Sequence, residues 1–403
     1  MNRFIMNKKI FRKTIIDTAS QTYIEDWKIS NKDIEFESNY EWYIHKKRLY
    51  GGKQDNIDII EVNNGSLSFI IVPTRGMGIW KGKFKDCFLG WESPVKQLVN
   101  PCYIKLEERG GLGWLDGFNE WIVRCGLENN GAPGEDIIID NMGREKKVFL
   151  PLHGKIANIP ADKVEISIDL EKKFEINVNG IVYERSMFGS NFKMSTSIVT
   201  ELGSNWIKIK DVIENLRAIP SEMQLIYHCN YGEPFLEDGS TLIAPIKRVV
   251  PRDKYAIENI DSFSYFSGPK PGFIEQVYFL ELLGDDEGKT MVMLKNKEGI
   301  KGTSISFSLK QLPYFTLWKN TASYEDGYVV GLEPGTNFPN NRAFEREKGR
   351  VVKLAPNAKY IAEITFAVHL DKEVEEIEEY IKKLQGRIKP EIIRNVHPDF
   401  SKA

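Results

Sequence analysis

Val164-Glu165-Ile166-Ser167-Ile168-Asp169-Leu170 places an apolar or small side chain at every second position of one face and a polar one between. Successive side chains of a strand point to opposite faces, so this stretch has one dry face and one wet one. Phe174, Ile176 and Val178 keep the same period, and Trp206, Ile207, Ile209, Val212 and Ile213 keep it with slight slippage. Asn179-Gly180 and Gly203-Ser204-Asn205 read as the turns between such runs, which makes the middle of the chain a series of antiparallel hairpins.

Outward from there the rhythm persists. Residues 57 to 62 and 67 to 72 flank Asn63-Asn64-Gly65, a hairpin signal. Further short strands are expected over 276 to 282, 290 to 294, 303 to 309 and 360 to 368, with no helices between them. Strands in this density without crossover helices predict an all-β fold, a large antiparallel β-sandwich, and not a parallel α/β sheet. One helix is specified. Val374, Ile377, Ile381 and Leu384 fall on one helical face, Asp371 can cap the start, Lys382 and Lys383 fill the last turn, and Gly386 stops it. The expected division is an N-terminal lead-in over 1–50 packed on the main domain, the sandwich over 51–370, and a C-terminal helix and tail over 371–403. Phe11, Ile15, Ile16, Tyr23, Trp27 and Ile34 are spaced too irregularly to place strands in the lead-in.

Composition narrows the function. With Lys+Arg 55 against Asp+Glu 57 in 403 residues, the net charge of −2 gives no general pull toward nucleic acid or an anionic membrane, so a small or neutral partner is expected. Cys87, Cys102, Cys125 and Cys229 form no C-x-x-C pair, and charged residues interrupt the first 20 positions before any apolar core develops. A cytoplasmic protein with reduced thiols and no membrane span is the expectation. The 22 Phe, 16 Tyr and 8 Trp suit sheet faces and also sugar-stacking walls, for which Trp91, Trp114, Trp121 and Trp318 are candidates. Gly110, Gly111, Gly113 and Gly117 lack the preceding strand and following helix of a dinucleotide cradle, and read as loops turning around Trp114, Phe118 and Trp121.

Three side chains stand out for acid–base chemistry. His153 leaves the short apolar run Phe149-Leu150-Pro151-Leu152 for Gly154, and His228 follows Met223 to Tyr227 and precedes Cys229-Asn230-Tyr231-Gly232. Glu333 lies in Gly331-Leu332-Glu333-Pro334-Gly335-Thr336-Asn337-Phe338-Pro339-Asn340, where Pro334 and Pro339 restrict the backbone around it. His45, His369 and His397 have settings that need no chemistry. A histidine titrates near neutral pH and a partly desolvated carboxylate accepts a proton, so the parts of an acid–base site are present, although spacing alone does not bring them together.

Leu152-His153-Gly154, His228-Cys229-Asn230-Tyr231, Gly331-Leu332-Glu333-Pro334 and Thr336-Asn337-Phe338-Pro339, in this order, resemble the aldose 1-epimerase, or galactose mutarotase-like, family. Arg75-Gly76-Met77-Gly78, Gly126 after Arg124-Cys125, and His153-Gly154-Lys155-Ile156-Ala157-Asn158 look more like a divergent branch than the well-known galactose mutarotases, and the loops from Gly110 to Arg124 depart from them. The resemblance implies a sugar mutarotase in which His228 is the general acid, Glu333 the general base, His153 a sugar contact and Arg75 a hydroxyl or carboxylate binder, with Asn230 and Asn337 among the substrate contacts. It implies no metal and no organic cofactor. Arg75 and Arg124 flank the glycine-rich loops with planar forks suited to a carboxylate or phosphate, which keeps sugar acids and sugar phosphates among the candidate substrates. Two alternatives use the same residues: a metal-dependent sugar isomerase built on His153, His228 and Glu333, and a carbohydrate-binding protein without catalysis. The oligomeric state is left open.

Overall fold

The computed structural model describes residues 10–401 except Glu35, Glu37 and Lys172; residues 1–9 and 402–403, the outer ends of the expected lead-in and tail, lie outside the described residues. A ten-stranded and a fourteen-stranded sheet make up the fold, with a separate two-stranded ribbon of Gly134–Ile139 and Glu145–Leu150. In the ten-stranded sheet Lys163–Asp169, Glu175–Arg185, Asn191–Glu201 and Trp206–Asn215 are neighbours in chain order, as sequential hairpins require, and Lys359–Leu370 returns from far along the chain to pair with Trp206–Asn215. Lys163–Asp169, Glu175–Arg185 and Asn191–Glu201 alternate buried side chains with half-buried or exposed ones, as the sequence period requires for a sheet with one face in the core.

The fourteen-stranded sheet is different. Its central strands Tyr314–Asn320, Val329–Gly335, Ser221–Tyr231 and Ile122–Leu127 are buried on both faces, so their sequences read as nearly continuous apolar runs. Parity still sorts them. Leu225, Tyr227, Cys229, Val330, Leu332, Phe315 and Leu317 join the core between the sheets, together with Val164, Ile166, Ile198 and Ile209 of the opposite sheet. The alternate positions Val123, Cys125, Ile226 and Val329 face outward into a second cluster, built with Trp91, Trp114 and Phe118 of the loops. The site is assembled in that second layer.

Three local expectations are corrected. Asn179-Gly180 is no turn: the strand Glu175–Arg185 runs straight through it, and a Cβ at Gly180 would come within 2.6 Å of Met77 Cγ. The glycine serves close packing, not reversal. Residues before Tyr50 do not lie on the sandwich as a lead-in; Ile10–Asp17 pairs with Lys163–Asp169, and Tyr43–Leu49 pairs with Ile57–Asn63, so they extend both sheets. The bulge between Thr14 and Ile16 breaks the period that would have revealed the first strand. The helix Lys372–Gln385 is present and buries Val374 and Ile381 against Met293, but Asp371 provides no side-chain cap hydrogen bond. Among the described residues no helix is long and apolar enough to cross a membrane.

Candidate functional site

On the outer layer, the register Ile226↔Gly335 and Cys229↔Leu332 brackets His228 opposite Glu333, and Thr316 pairs with Glu333 on the next strand. Both motifs therefore lie within strands and not at strand exits. Period-two alternation points His228, Glu333, Thr316 and Trp318 to one side, into a cavity of about 380 Å³. Loops close over it with Trp114, Leu115, Phe118, Pro133 and Leu152, so most of its wall is apolar or aromatic.

His228 Nε2 and Glu333 Oε1 stand 3.2 Å apart with both side chains almost wholly buried. Gly331 makes the contact possible: a Cβ there would fall 2.6 Å from Glu333 Oε1 and 3.2 Å from His228 Cε1. Asn230 orients the imidazole. Its amide nitrogen donates to the Glu120 carbonyl at 2.9 Å, which leaves Oδ1 to accept from His228 Nδ1–H at 2.7 Å. Nδ1 thus carries a proton, and Nε2 is the atom that exchanges one with Glu333.

Burial sets the charges of this pair. Loss of water pushes the Glu333 carboxyl up to about 8, with Glu275 adding to the rise. It pushes His228 well below the ordinary histidine value, with His153 adding to the fall. Near neutral pH the favoured form is a neutral carboxyl beside a neutral imidazole, the two groups holding one exchangeable proton between them. A base at Glu333 and an acid at His228, the roles that the resemblance implies, therefore require that proton to move within the pair first.

His153 lines the cavity beside the pair, its ring edge-on to that of His228 with centroids 5.3 Å apart. It sits in a tight turn with φ of 58°, followed by Gly154 at φ of 72°, where a Cβ would fall 2.1 Å from the Asn129 carbonyl. Its Nδ1–H donates to the Asn130 carbonyl at 2.8 Å, leaving Nε2 as an acceptor. Burial pushes its pKa down to about 4, so it is neutral at working pH. Asn337 stands behind this arrangement: its amide exchanges two 2.9 Å hydrogen bonds with Asn130. Asn230 and Asn337 thus touch the histidines or their supports and do not line the cavity.

The two arginines are elsewhere. Arg75 donates to Glu120 at 2.6 and 3.0 Å and to the carbonyls of Val99 and Gly117, fully buried. Arg124 has the opposite strand parity to His228 and points between the sheets. There it meets Asp211 at 2.6 and 3.0 Å, Thr196 Oγ1 at 2.7 Å and the Met77 carbonyl at 2.9 Å. With every guanidinium nitrogen engaged and neither side chain on the cavity wall, the expected role in binding a substrate anion is withdrawn for both. Trp114 and Trp318 line the cavity, whereas Trp121 packs in the core and Trp91 behind Phe118. Among the described residues no three His, Cys, Asp or Glu side chains group so as to hold a metal ion.

Sequence reading missed Arg252, Glu275, Thr316 and Phe118, all on the cavity wall. Arg252 and Glu275 lie just outside the paired strands Ile246–Pro251 and Gln276–Leu282, where no motif marks them. Thr316 was available from parity with Trp318 once Glu333 was chosen.

The sequence profile of DUF4432, a domain of unknown function, matches residues 54–368. A crystal structure of a putative aldose 1-epimerase from Klebsiella pneumoniae is 34% identical, covering 96% of this chain and 99% of its own, with a TM-score of 0.90. A galactose mutarotase-like protein from Clostridium acetobutylicum shares the fold at 16% identity and a TM-score of 0.53, covering 86% of this chain and 99% of its own. A galactose mutarotase related enzyme from Lactobacillus acidophilus does so at 12% and 0.50, covering 77% and 97%. No curated protein matches the chain. Over most of its length, therefore, the chain belongs to the DUF4432 family, a divergent branch of the aldose 1-epimerase, or galactose mutarotase-like, superfamily.

Proposed function

We propose that the protein is a sugar mutarotase, interconverting α and β anomers by acid–base ring opening. The observation that carries the reading is the 3.2 Å contact between His228 Nε2 and Glu333 Oε1 on the wall of a largely apolar cavity of about 380 Å³. That volume falls in the usual range for small-ligand sites, roughly 300–1,000 Å³. Trp318 and Trp114 offer faces for the C–H surface of a sugar ring, and His153 Nε2 accepts from a hydroxyl.

The shared proton supports a closed cycle. Moving it from Glu333 to His228 gives a carboxylate and an imidazolium without changing the net charge. The carboxylate takes the proton of the anomeric hydroxyl while His228 Nε2–H gives its proton to the ring oxygen. The bond from the anomeric carbon to the ring oxygen breaks, and an open-chain aldehyde results. Glu333 is then neutral and so is His228, the form that burial favours. Rotation about the first carbon–carbon bond exposes the other face of the carbonyl. On closure Glu333 returns a proton to the carbonyl oxygen and His228 takes one from the attacking hydroxyl. The two tautomers of one buried pair thereby serve the two halves of the reaction, each transfer contributing ~10²–10⁴-fold.

The test is to dissolve single crystalline anomers of several aldoses and follow their equilibration by proton NMR with and without protein. Acceleration proportional to enzyme concentration for at least one sugar is the expected result. Rates equal to buffer for every sugar that binds would refute the reading.

A further inference from the structure

Apart from Glu333, the charged side chains on the cavity wall are Arg252 and Glu275. Their flanking strands pair, which brings them together at one end of the hairpin. Arg252 Nη2 lies 2.9 Å from Glu275 Oε1 and 2.9 Å from Asp253 Oδ2, and its Nε donates to Asp253 at 3.0 Å. The other Glu275 oxygen accepts from Trp318 Nε1–H at 2.8 Å, and the Trp318 ring stands 5.4 Å from the His228 ring. With side chains 34% and 46% exposed, Arg252 and Glu275 face both cavity and solvent, and so form its mouth.

Among the described residues, then, the wall offers one guanidinium, and two carboxylates already share it. An incoming carboxylate or phosphate would lose hydration and meet Glu275, with the Nε–Nη2 edge of the Arg252 fork already taken by Asp253 and Glu275. An uncharged sugar meets no such cost, because Glu275 oxygens accept more than one hydrogen bond each and its hydroxyls can donate to them.

We infer that Glu275 is a specificity-determining residue: by holding Arg252 and Trp318 it keeps the cavity mouth without a free cation, so that the site admits uncharged sugars and rejects sugar acids and sugar phosphates. This rests on the sugar reading of the site. The mouth is therefore a filter on charge, placed away from the atoms that move protons.

Methyl glycosides test it, because without a free anomeric hydroxyl they bind but do not ring-open. Binding of the methyl glycosides of glucose and galactose, and of the corresponding methyl uronides, is measured by ligand-observed NMR titration. Wild-type protein is expected to bind the neutral glycosides and to hold the uronides at least about tenfold more weakly, or about 1.4 kcal/mol. Glu275→Gln keeps an acceptor for Trp318 but removes one of the charges on Arg252, and should move the ratio toward the uronides by about tenfold, again about 1.4 kcal/mol. Adding Arg252→Met should restore the original ratio. Equal wild-type affinity for both classes, no binding of either, or an unchanged ratio in Glu275→Gln would overturn the inference. Neutral selectivity in binding without any acceleration of anomer exchange would instead refute the reaction and leave the role of Glu275 standing.

Discussion

Arg124→Leu separates a structural arginine from a substrate-binding one. The guanidinium joins the two sheets, donating to Asp211 at 2.6 and 3.0 Å, to Thr196 and to the Met77 carbonyl. Once it is removed, Asp211, with no exposed surface, keeps only the Tyr227 hydroxyl at 2.7 Å. Breaking a buried ion pair from one side leaves an uncompensated charge and costs ~3–5 kcal/mol. Against a total stability of ~5–15 kcal/mol, that is a large fraction. Urea titration followed by tryptophan fluorescence should show the loss, and adding Asp211→Leu should recover more than half of it, since replacing both partners of a buried pair with apolar groups is often close to neutral. Anomer exchange per folded molecule should stay at the wild-type level. A loss below about 1 kcal/mol, outside the range for a broken buried pair, would refute the argument. So would full stability with a collapse in sugar affinity, because Arg124 would then belong to the site after all.

Other consequences follow from the same geometry. The rate of anomer exchange should fall as pH rises through about 8, because the Glu333–His228 pair then loses the proton it needs to give the ring oxygen. The acid limb should lie below the ordinary histidine range, since burial pushes His228 down, and a pH–rate profile with its alkaline limb near 6.5 would contradict this. Gly331→Ala should lower the exchange rate at least about tenfold, as displacement of a transition-state group does, while the protein stays folded, because its Cβ would fall 2.6 Å from Glu333 Oε1. Wild-type activity in that variant would mean that the close contact of the pair is dispensable. Ile381→Ala should cost ~2–5 kcal/mol in urea titration by emptying the seam between the C-terminal helix and Met293, and no loss would place the helix elsewhere.

Much of the fold was legible because half-buried strands advertise themselves. Val164, Ile166 and Ile168 each bury completely, with half-buried neighbours between. The sheet carrying the site was harder to read. In Ser221–Tyr231 both faces are covered, so alternation vanishes from the sequence and returns only when Leu225, Tyr227 and Cys229 are seen in one layer and Ile226 and His228 in the other. The same parity would have removed Arg124 from the candidates, since Arg124 pairs with Tyr227 and Val123 with His228. Arg75 offered no such clue, because its partner Glu120 lies on a distant loop. His228, Glu333 and His153 were found through residue type and motif, and their convergence is a product of register. Partial desolvation of Glu333 was foreseeable but its extent was not, for whether Glu333 is a carboxylate or a carboxyl depends on how much water the loops around Trp114 and Phe118 exclude.

The central claim is that Glu333 moves the anomeric proton, and Glu333→Gln addresses it most directly by keeping size and hydrogen bonding while removing the base. Two-dimensional exchange NMR on a sugar already at anomeric equilibrium reads the interconversion rate without any external coupling, and titration of the same sample reads affinity. The account predicts a fall in rate of ~10²–10⁴-fold with sugar affinity nearly unchanged. Undiminished exchange in Glu333→Gln would contradict it and move the base to another group of the cavity.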